Sequence, residues 1–190
     1  MQVAQRVAGF SLAKADILRK AMSKKTASLM HSMRNEFIEG GLANGFSQDE
    51  VEEIYNLVNL YAQEGVMLAR SRNTLYETLR DMYVAEEDGE ILGVGGLHIV
   101  WDELAEVRTL AVAKKALRRH IGANIVEHLI EEGKALGIRK VFTLTYQDKF
   151  FGSLGFKVVT KDDLPQKVWK DCIDCPKFPN CDEIAMEMYI

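Results

Sequence analysis

Residues 105–129, AEVRTLAVAKKALRRHIGANIVEHL, set a basic turn between a strand and a helix. Such a turn can cradle a phosphate, because backbone N–H groups at a helix start converge on an anion and the helix dipole favours negative charge. Lys114, Lys115, Arg118 and Arg119 add side-chain charge. No glycine occurs in the turn before Gly122, so a charged surface turn without a ligand is the competing reading. A second chemical group is CIDCPKFPNC, which carries Cys172, Cys175 and Cys181. The Cys-x-x-Cys spacing can chelate zinc, but a structural zinc site usually has about four ligands, and Asp182 is the nearest further donor. Reduced thiols that order the tail are the simpler reading, and no metal is expected. The histidines at 31, 98, 120 and 128 make no ligand spacing, and no Ser or Cys stands with a base partner as a nucleophile.

Period and punctuation give the elements that must hold these groups. Residues 1–45 read as helical: Ser11 caps a helix to about Met22, Thr26 another to about Ala43, and Gly45 fits a stop. Ser47 and Glu50 have capping-box spacing. In the helix that follows, Val51, Ile54, Val58 and Tyr61 share a face, and Gly65 ends it. A shorter helix, about 72–81, follows Ser71. The period then changes. Residues 82–100 read as two strands around the Asp88-Gly89 hairpin signal, and 105–112 as a third strand. A helix spans about 121–136, 140–146 is a buried strand, DKFFGSL is a short helix, and FKVVT and EIAMEMYI are strands. Alternation on the third strand puts Glu106, Arg108 and Leu110 on one face and Val107, Thr109 and Ala111 on the other. The fold class is α/β (α+β), a mixed sheet flanked by helices.

Composition bounds the rest. With 190 residues, 47% hydrophobic and 27% charged, the chain suits one domain with an appendage and excludes global disorder. No run of about 18 uncharged apolar residues predicts a membrane helix. The start, MQVAQRVAGFSLAKAD, lacks the order of a signal peptide, and three cysteines are an odd count for a secreted framework, so a cytoplasmic protein is the default. The net charge of −4 divides into +4 over residues 1–45 and −8 over the remainder. That asymmetry predicts two parts, a helical extension at 1–50 and an α/β domain at 51–190. Few aromatics and a charge of only +4 make the first part a solvated helical face, with no nucleic acid expected.

From about Glu52 onward the order of elements and the words IYNLVNLYAQEGVMLARS, VAEEDGEILGVGGLHIVWDELAEVRTLAV, FTLTYQDKFFGSLGF and LPQKVWKDCIDCPKFPNCDEIAM resemble the GNAT acetyltransferases. More narrowly, they resemble the short N-acetylglutamate synthase type of bacterial arginine biosynthesis. Residues 1–53, with QVAQRVAGFSLAKADILRKAMSKK and MRNEFIEGGLANGFSQDEVEEI, resemble the fingers region of the bacterial DNA polymerase III alpha subunit. The polymerase's catalytic carboxylates lie in regions absent here, so the resemblance implies a fused chain. GNAT domains open with a short strand before the first helix. Here polymerase-like helix replaces it, which would leave the strand at 82–87 an unprotected edge prone to self-association, unless QVAQRV substitutes.

The resemblance also implies roles. Acetyl-CoA is the donor, an amino acid the acceptor, and a homodimer fits the superfamily. Coenzyme A would meet Leu110, Ala111 and Val112 of the third strand and Leu117, Arg118, Arg119, His120, Ile121, Gly122 and Ala123 of the turn. The family's turn reads Gln/Arg-x-x-Gly-x-Gly/Ala. Here Leu117 and His120 depart from it, and Gly122 alone matches. Glu106 is the candidate base for the ammonium proton, or else a plain ion-pair partner. The family's usual tyrosine acid is Phe151 here, which leaves Tyr146 as the alternative acid, or as a capping aromatic, with water sufficient for the thiolate. LARS implies Arg70 and Ser71 for the substrate, with Arg108 a second cation, although Ser71 also suits a plain N-cap. Two other functions stay open: an impaired coenzyme A-binding module, and a nucleic-acid-associated polymerase fragment.

Overall fold

A computed structural model of the chain describes residues 47–164, 172, 175, 177 and 180–190. The helices expected within residues 1–45, and the candidate edge strand QVAQRV, lie outside the described residues. The chain divides into two compact units, Met1–Glu53 and Ile54–Ile190. Helix α1 runs Gln48–Gln63. Its expected capping box is formed: the Glu50 amide donates to Ser47 Oγ at 3.2 Å, and the Ser47 amide to the Glu50 carboxylate at 2.5 Å.

In the second unit α2 (Arg72–Thr78) is followed by β1 (Met82–Glu87), β2 (Glu90–Trp101) and β3 (Leu104–Val112). Then come α3 (Ile121–Ala135), β4 (Lys140–Thr145), α4 (Asp148–Ser153), β5 (Lys157–Val159) and β6 (Ile184–Tyr189). Asp88 at φ 54° and Gly89 at φ 78° make the tight hairpin between β1 and β2. The six strands form one mixed sheet in the order β1-β2-β3-β4-β6-β5. β3 and β4 are parallel, and every other pair is antiparallel. β1 ends the sheet, and among the described residues no strand precedes it.

The core lies on both faces. Ile125, Val126, Leu129 and Ile130 of α3 pack with Leu97, Ala105, Val107, Val141 and Met186. Leu104, Phe142 and Ala185, each one residue out of phase with that set, point to the other face and cluster with Leu164. Glycines on β2 set how near α3 comes. A Cβ on Gly93 would stand 2.8 Å from Ile121 Cγ2, and one on Gly95 2.7 Å from Ile125 Cγ2, so side chains there would push the start of α3 off the sheet.

Candidate active site

Two irregularities of β3 make the cleft. β3 and β4 pair only at Leu104↔Lys140, Ala105↔Val141 and Glu106↔Phe142, although the strands run on to Val112 and Thr145. Past Glu106 they separate, and the opening is a cleft of about 1530 Å³. Glu106 marks its apex. The second irregularity is a bulge. Val94 pairs Ala111 and Gly96 pairs Arg108, so Thr109 and Leu110 face Gly95 alone. Thr109 sits at φ 58°, a costly conformation for a β-branched residue.

The bulge corrects the simple alternation expected for this strand. Leu110 Cδ1 lies 3.1 Å from where a Cβ on Gly95 would be, beside Ile125 and Leu129 of α3. Leu110 therefore packs with the Val107 cluster on the helix side, and not on the Glu106 face. Alternation assumes an unbroken pleat, and the extra residue at Thr109 resets its phase.

The basic turn winds through a short 3-10 stretch at Lys114–Ala116 and then takes left-handed backbone at Arg118 (φ 64°) and His120 (φ 62°). His120 thus occupies, at a cost, a conformation that glycine adopts freely. The Asn124 amide makes the first helical bond, to the His120 carbonyl at 2.9 Å. The amides of Ile121, Gly122 and Ala123 precede it and have no helical acceptor. All three residues line the cleft, as do Leu110, Ala111, Val112, Leu117, Arg118 and His120, so the donor set fits a diphosphate. A Cβ on Gly122 would lie 3.4 Å from Phe150 and 3.5 Å from Val112, ordinary contact distances that alanine tolerates.

The turn's cations are mostly tied to the frame. Lys114 pairs with Glu64, Lys115 with Glu90, and Arg119 Nη2 with both oxygens of Glu87 at 2.7 and 3.0 Å. The Arg119 pairing lowers the Glu87 pKa below the usual carboxylate range. Arg119 does not line the cleft. Arg118 does, and it has no carboxylate partner among the described residues.

The opposite wall works through side chains. Asn59 clamps the backbone of Arg70: its Nδ2 donates to the Arg70 carbonyl at 2.9 Å, and its Oδ1 accepts from the Arg70 amide at 3.3 Å. Arg70 and Arg108 both line the cleft with Glu106. Ser71 does not. Its Oγ accepts from the Thr74 amide at 3.1 Å and caps α2. Phe151 is a core residue in edge-on contact with Phe150 and Phe156.

Tyr146, just past β4, lines the same cleft. Its hydroxyl donates to Asp182 Oδ1 at 2.5 Å and accepts from Lys177 Nζ. Lys177 Nζ also donates to the Gly65 carbonyl at 3.2 Å and stands 4.6 Å from the Tyr146 ring centroid. Burial, and then the bond to Asp182, push the tyrosine pKa up. Sequence reasoning missed Asn59 and Lys177. Their partners lie 11 and 31 residues away, and neither contact follows a helical or strand period.

The three cysteines are free thiols at the cleft. The Cys175 amide donates to the Cys172 carbonyl at 3.0 Å, and Cys181 Sγ lies 3.6 Å from Glu183. Burial, then the neighbouring Cys181, Glu106, Cys175 and Glu183, push the Cys172 thiol up to about 11. Among the described residues no group of three His, Cys, Asp or Glu is arranged to hold a metal ion.

The chain is similar to known proteins over both of its parts. The Acetyltransferase (GNAT) family profile matches residues 50–156, and the Bacterial DNA polymerase III alpha subunit finger domain matches residues 1–45. An uncharacterized N-acetyltransferase, CT2212, of Chlorobaculum tepidum is 38% identical over 137 residues, covering 72% of this chain and 88% of the relative. An amino-acid acetyltransferase of Mycobacterium tuberculosis is 33% identical over 125 residues, 64% of this chain and 71% of that one. The crystal structure of Rv2747 from Mycobacterium tuberculosis, solved in complex with CoA, superposes with a TM-score of 0.66 at 28% identity, covering 76% of this chain and 96% of that one. At the other end, the DNA polymerase III subunit alpha of Staphylococcus aureus is 45% identical over 65 residues, which are 34% of this chain and 6% of the polymerase.

Proposed function

Because the chain belongs to the acetyltransferase (GNAT) family, we propose that it moves the acetyl group of acetyl-CoA onto the amino group of L-glutamate by direct attack. The observation that carries this reading is the meeting of Glu106, Arg70 and Arg108 with the start of α3 in one cleft. The pyrophosphate would lie against the amides of residues 121–123, with Arg118 beside it. Glu106 accepts a proton from the substrate ammonium, and the amine attacks the thioester carbonyl. The new C–N bond forms as the C–S bond breaks, and the thiolate leaves with the electron pair. A thiolate is a stable leaving group, with a thiol pKa of about 8.5, and through water it takes up the second proton, which the attacking nitrogen sheds on becoming an amide. Arg70 holds a substrate carboxylate, and Arg108 is the second cation. Kinship with an amino-acid acetyltransferase supports an amino-acid acceptor, and glutamate is the finer assignment. Residues 1–50 form a polymerase-like extension in this reading, and 51–190 the acetyltransferase domain.

The test is coenzyme A release from acetyl-CoA with and without L-glutamate. Release should depend on glutamate, and Glu106→Gln should cut turnover by roughly 10²–10⁴ while coenzyme A binding holds. Coenzyme A binding by folded protein, without release for any amino acid, would instead establish a second reading, a non-catalytic module. The departures at Leu117 and His120 are the observation in its favour.

A further inference from the structure

We propose that the Tyr146 hydroxyl and the Lys177 ammonium together form a carboxylate receptor in the cleft, which Asp182 occupies in this structure and which takes the side-chain carboxylate of a dicarboxylic amino acid. The proposal rests on the acetylation reading for its substrate and adds a residue pair that selects it. A single carboxylate oxygen, Asp182 Oδ1, receives the tyrosine O–H at 2.5 Å and Lys177 Nζ at 3.3 Å. A hydroxyl and an ammonium converging on one oxygen make a charge-assisted carboxylate site, and the chain supplies its own example of the ligand.

Both donors have supports other than Asp182. Tyr146 follows directly on β4, whose neighbours Thr143 and Thr145 are buried. Besides Asp182, Lys177 has two further anchors, its bond to the Gly65 carbonyl and its place over the tyrosine ring. Asp182 is the loose member, with 67% of its side chain exposed, against 39% for Lys177. Tyr146 and Lys177 line the cleft with Glu106 and Arg70, whereas Asp182 does not. A carboxylate arriving through the cleft therefore meets the donors directly and competes with Asp182 for them. Exchange of one carboxylate for another leaves the charge at the receptor unchanged, so the ammonium need not lose its counter-ion. A neutral side-chain amide of the same length would give up that balance. The receptor therefore discriminates by charge, with L-glutamate favoured over L-glutamine.

Steady-state release of coenzyme A separates the outcomes. Lys177→Met should raise the KM for glutamate about tenfold more than the KM for glutamine, the loss of one charge-assisted bond at a part-exposed site. Tyr146→Phe should act in the same direction through KM, whereas a pure fall in kcat would make Tyr146 an acid and overturn the receptor. Asp182→Asn, which removes the competing charge, should lower the KM for glutamate severalfold. Equal effects of Lys177→Met on both amino acids, or no gain from Asp182→Asn, would also overturn it. If no amino acid supports release, the acetylation reading fails by itself, and calorimetric titration with glutarate decides the receptor. Binding that Lys177→Met weakens and Asp182→Asn strengthens supports the pair, and absence of glutarate binding to the parent chain refutes it.

Discussion

In the reading proposed above, the two walls of the cleft would hold anions by different means. The wall at the start of α3 presents backbone amides, and three of its four turn cations are already engaged by Glu64, Glu90 and Glu87. The wall opposite presents side chains: Arg70, clamped through its own backbone by Asn59, and the Tyr146–Lys177 pair. Backbone strain is concentrated on the first wall. Apart from the hairpin residue Asp88, the non-glycine residues at positive φ among the described residues are Thr109, Arg118 and His120. A wall built from amides tolerates drift in side-chain identity, so Leu117 and His120 are compatible with it. A wall built from side chains has no such latitude, because losing one removes the contact itself.

The sharpest way to break this contrast is Arg70→Ala. Losing a charge-assisted contact to a carboxylate costs about 1.5–3 kcal/mol, which should raise the KM for the amino acid roughly 10- to 150-fold. The KM for acetyl-CoA should stay within about twofold, since the cofactor wall is untouched and Asn59 still orders the backbone. Comparable rises in both constants would mean that the walls do not act separately.

The cofactor wall predicts the opposite behaviour under substitution. His120→Gly removes an imidazole from the turn but relieves a left-handed backbone. That relief, about 1–2 kcal/mol, outweighs part of the added flexibility of the unfolded chain, for a net gain of about 0.5–1 kcal/mol in a urea titration. Coenzyme A affinity by calorimetry should hold or improve. A clear loss of affinity would show that the imidazole itself contacts the ligand, and the amide account of this wall would fall.

What the sequence made legible follows the same division. The strand, turn and helix at 105–129 were readable because period and capping are local, and the hairpin at Asp88-Gly89 and the Ser47–Glu50 box were readable for the same reason. Glu106, which lines the cleft, was made a candidate by its strand and the family words around it. The separation of β3 from β4 was not readable, because register between distant strands leaves no local mark. The bulge at Thr109 was missed because nothing in RTLAV announces it: a glycine would be the usual clue, and the chain accepts strain instead. Its consequence was the misplaced face of Leu110. Ser71 carried two readings, and the geometry shows its hydroxyl capping α2. Lys177 was hidden because its contacts, with Tyr146 and Gly65, span 31 and 112 residues.

The smallest effect serves as a control that should leave both walls unchanged. Glu132 lies on α3 and does not line the cleft. Burial, and then the negative charge of Asp81, push its pKa above the usual carboxylate value. The folded chain therefore holds the Glu132 proton more tightly than the unfolded chain does. Wherever the unfolded chain has released that proton and the folded chain resists releasing it, stability falls as pH rises. The penalty begins near the unfolded pKa of about 4.3 and is fully present at neutral pH. Glu132→Gln removes it, so the variant should melt above the parent at pH 7, and the difference should shrink as the pH is lowered to 4. Kinetic constants for both substrates should not move. A stability difference that ignored pH would mean that the substituted side chain gains from packing or helix propensity and that the buried charge contributes nothing. A shift in either KM would mean that the face of α3 facing Asp81 communicates with the cleft, and the two walls could then no longer be treated apart from the helix that carries one of them.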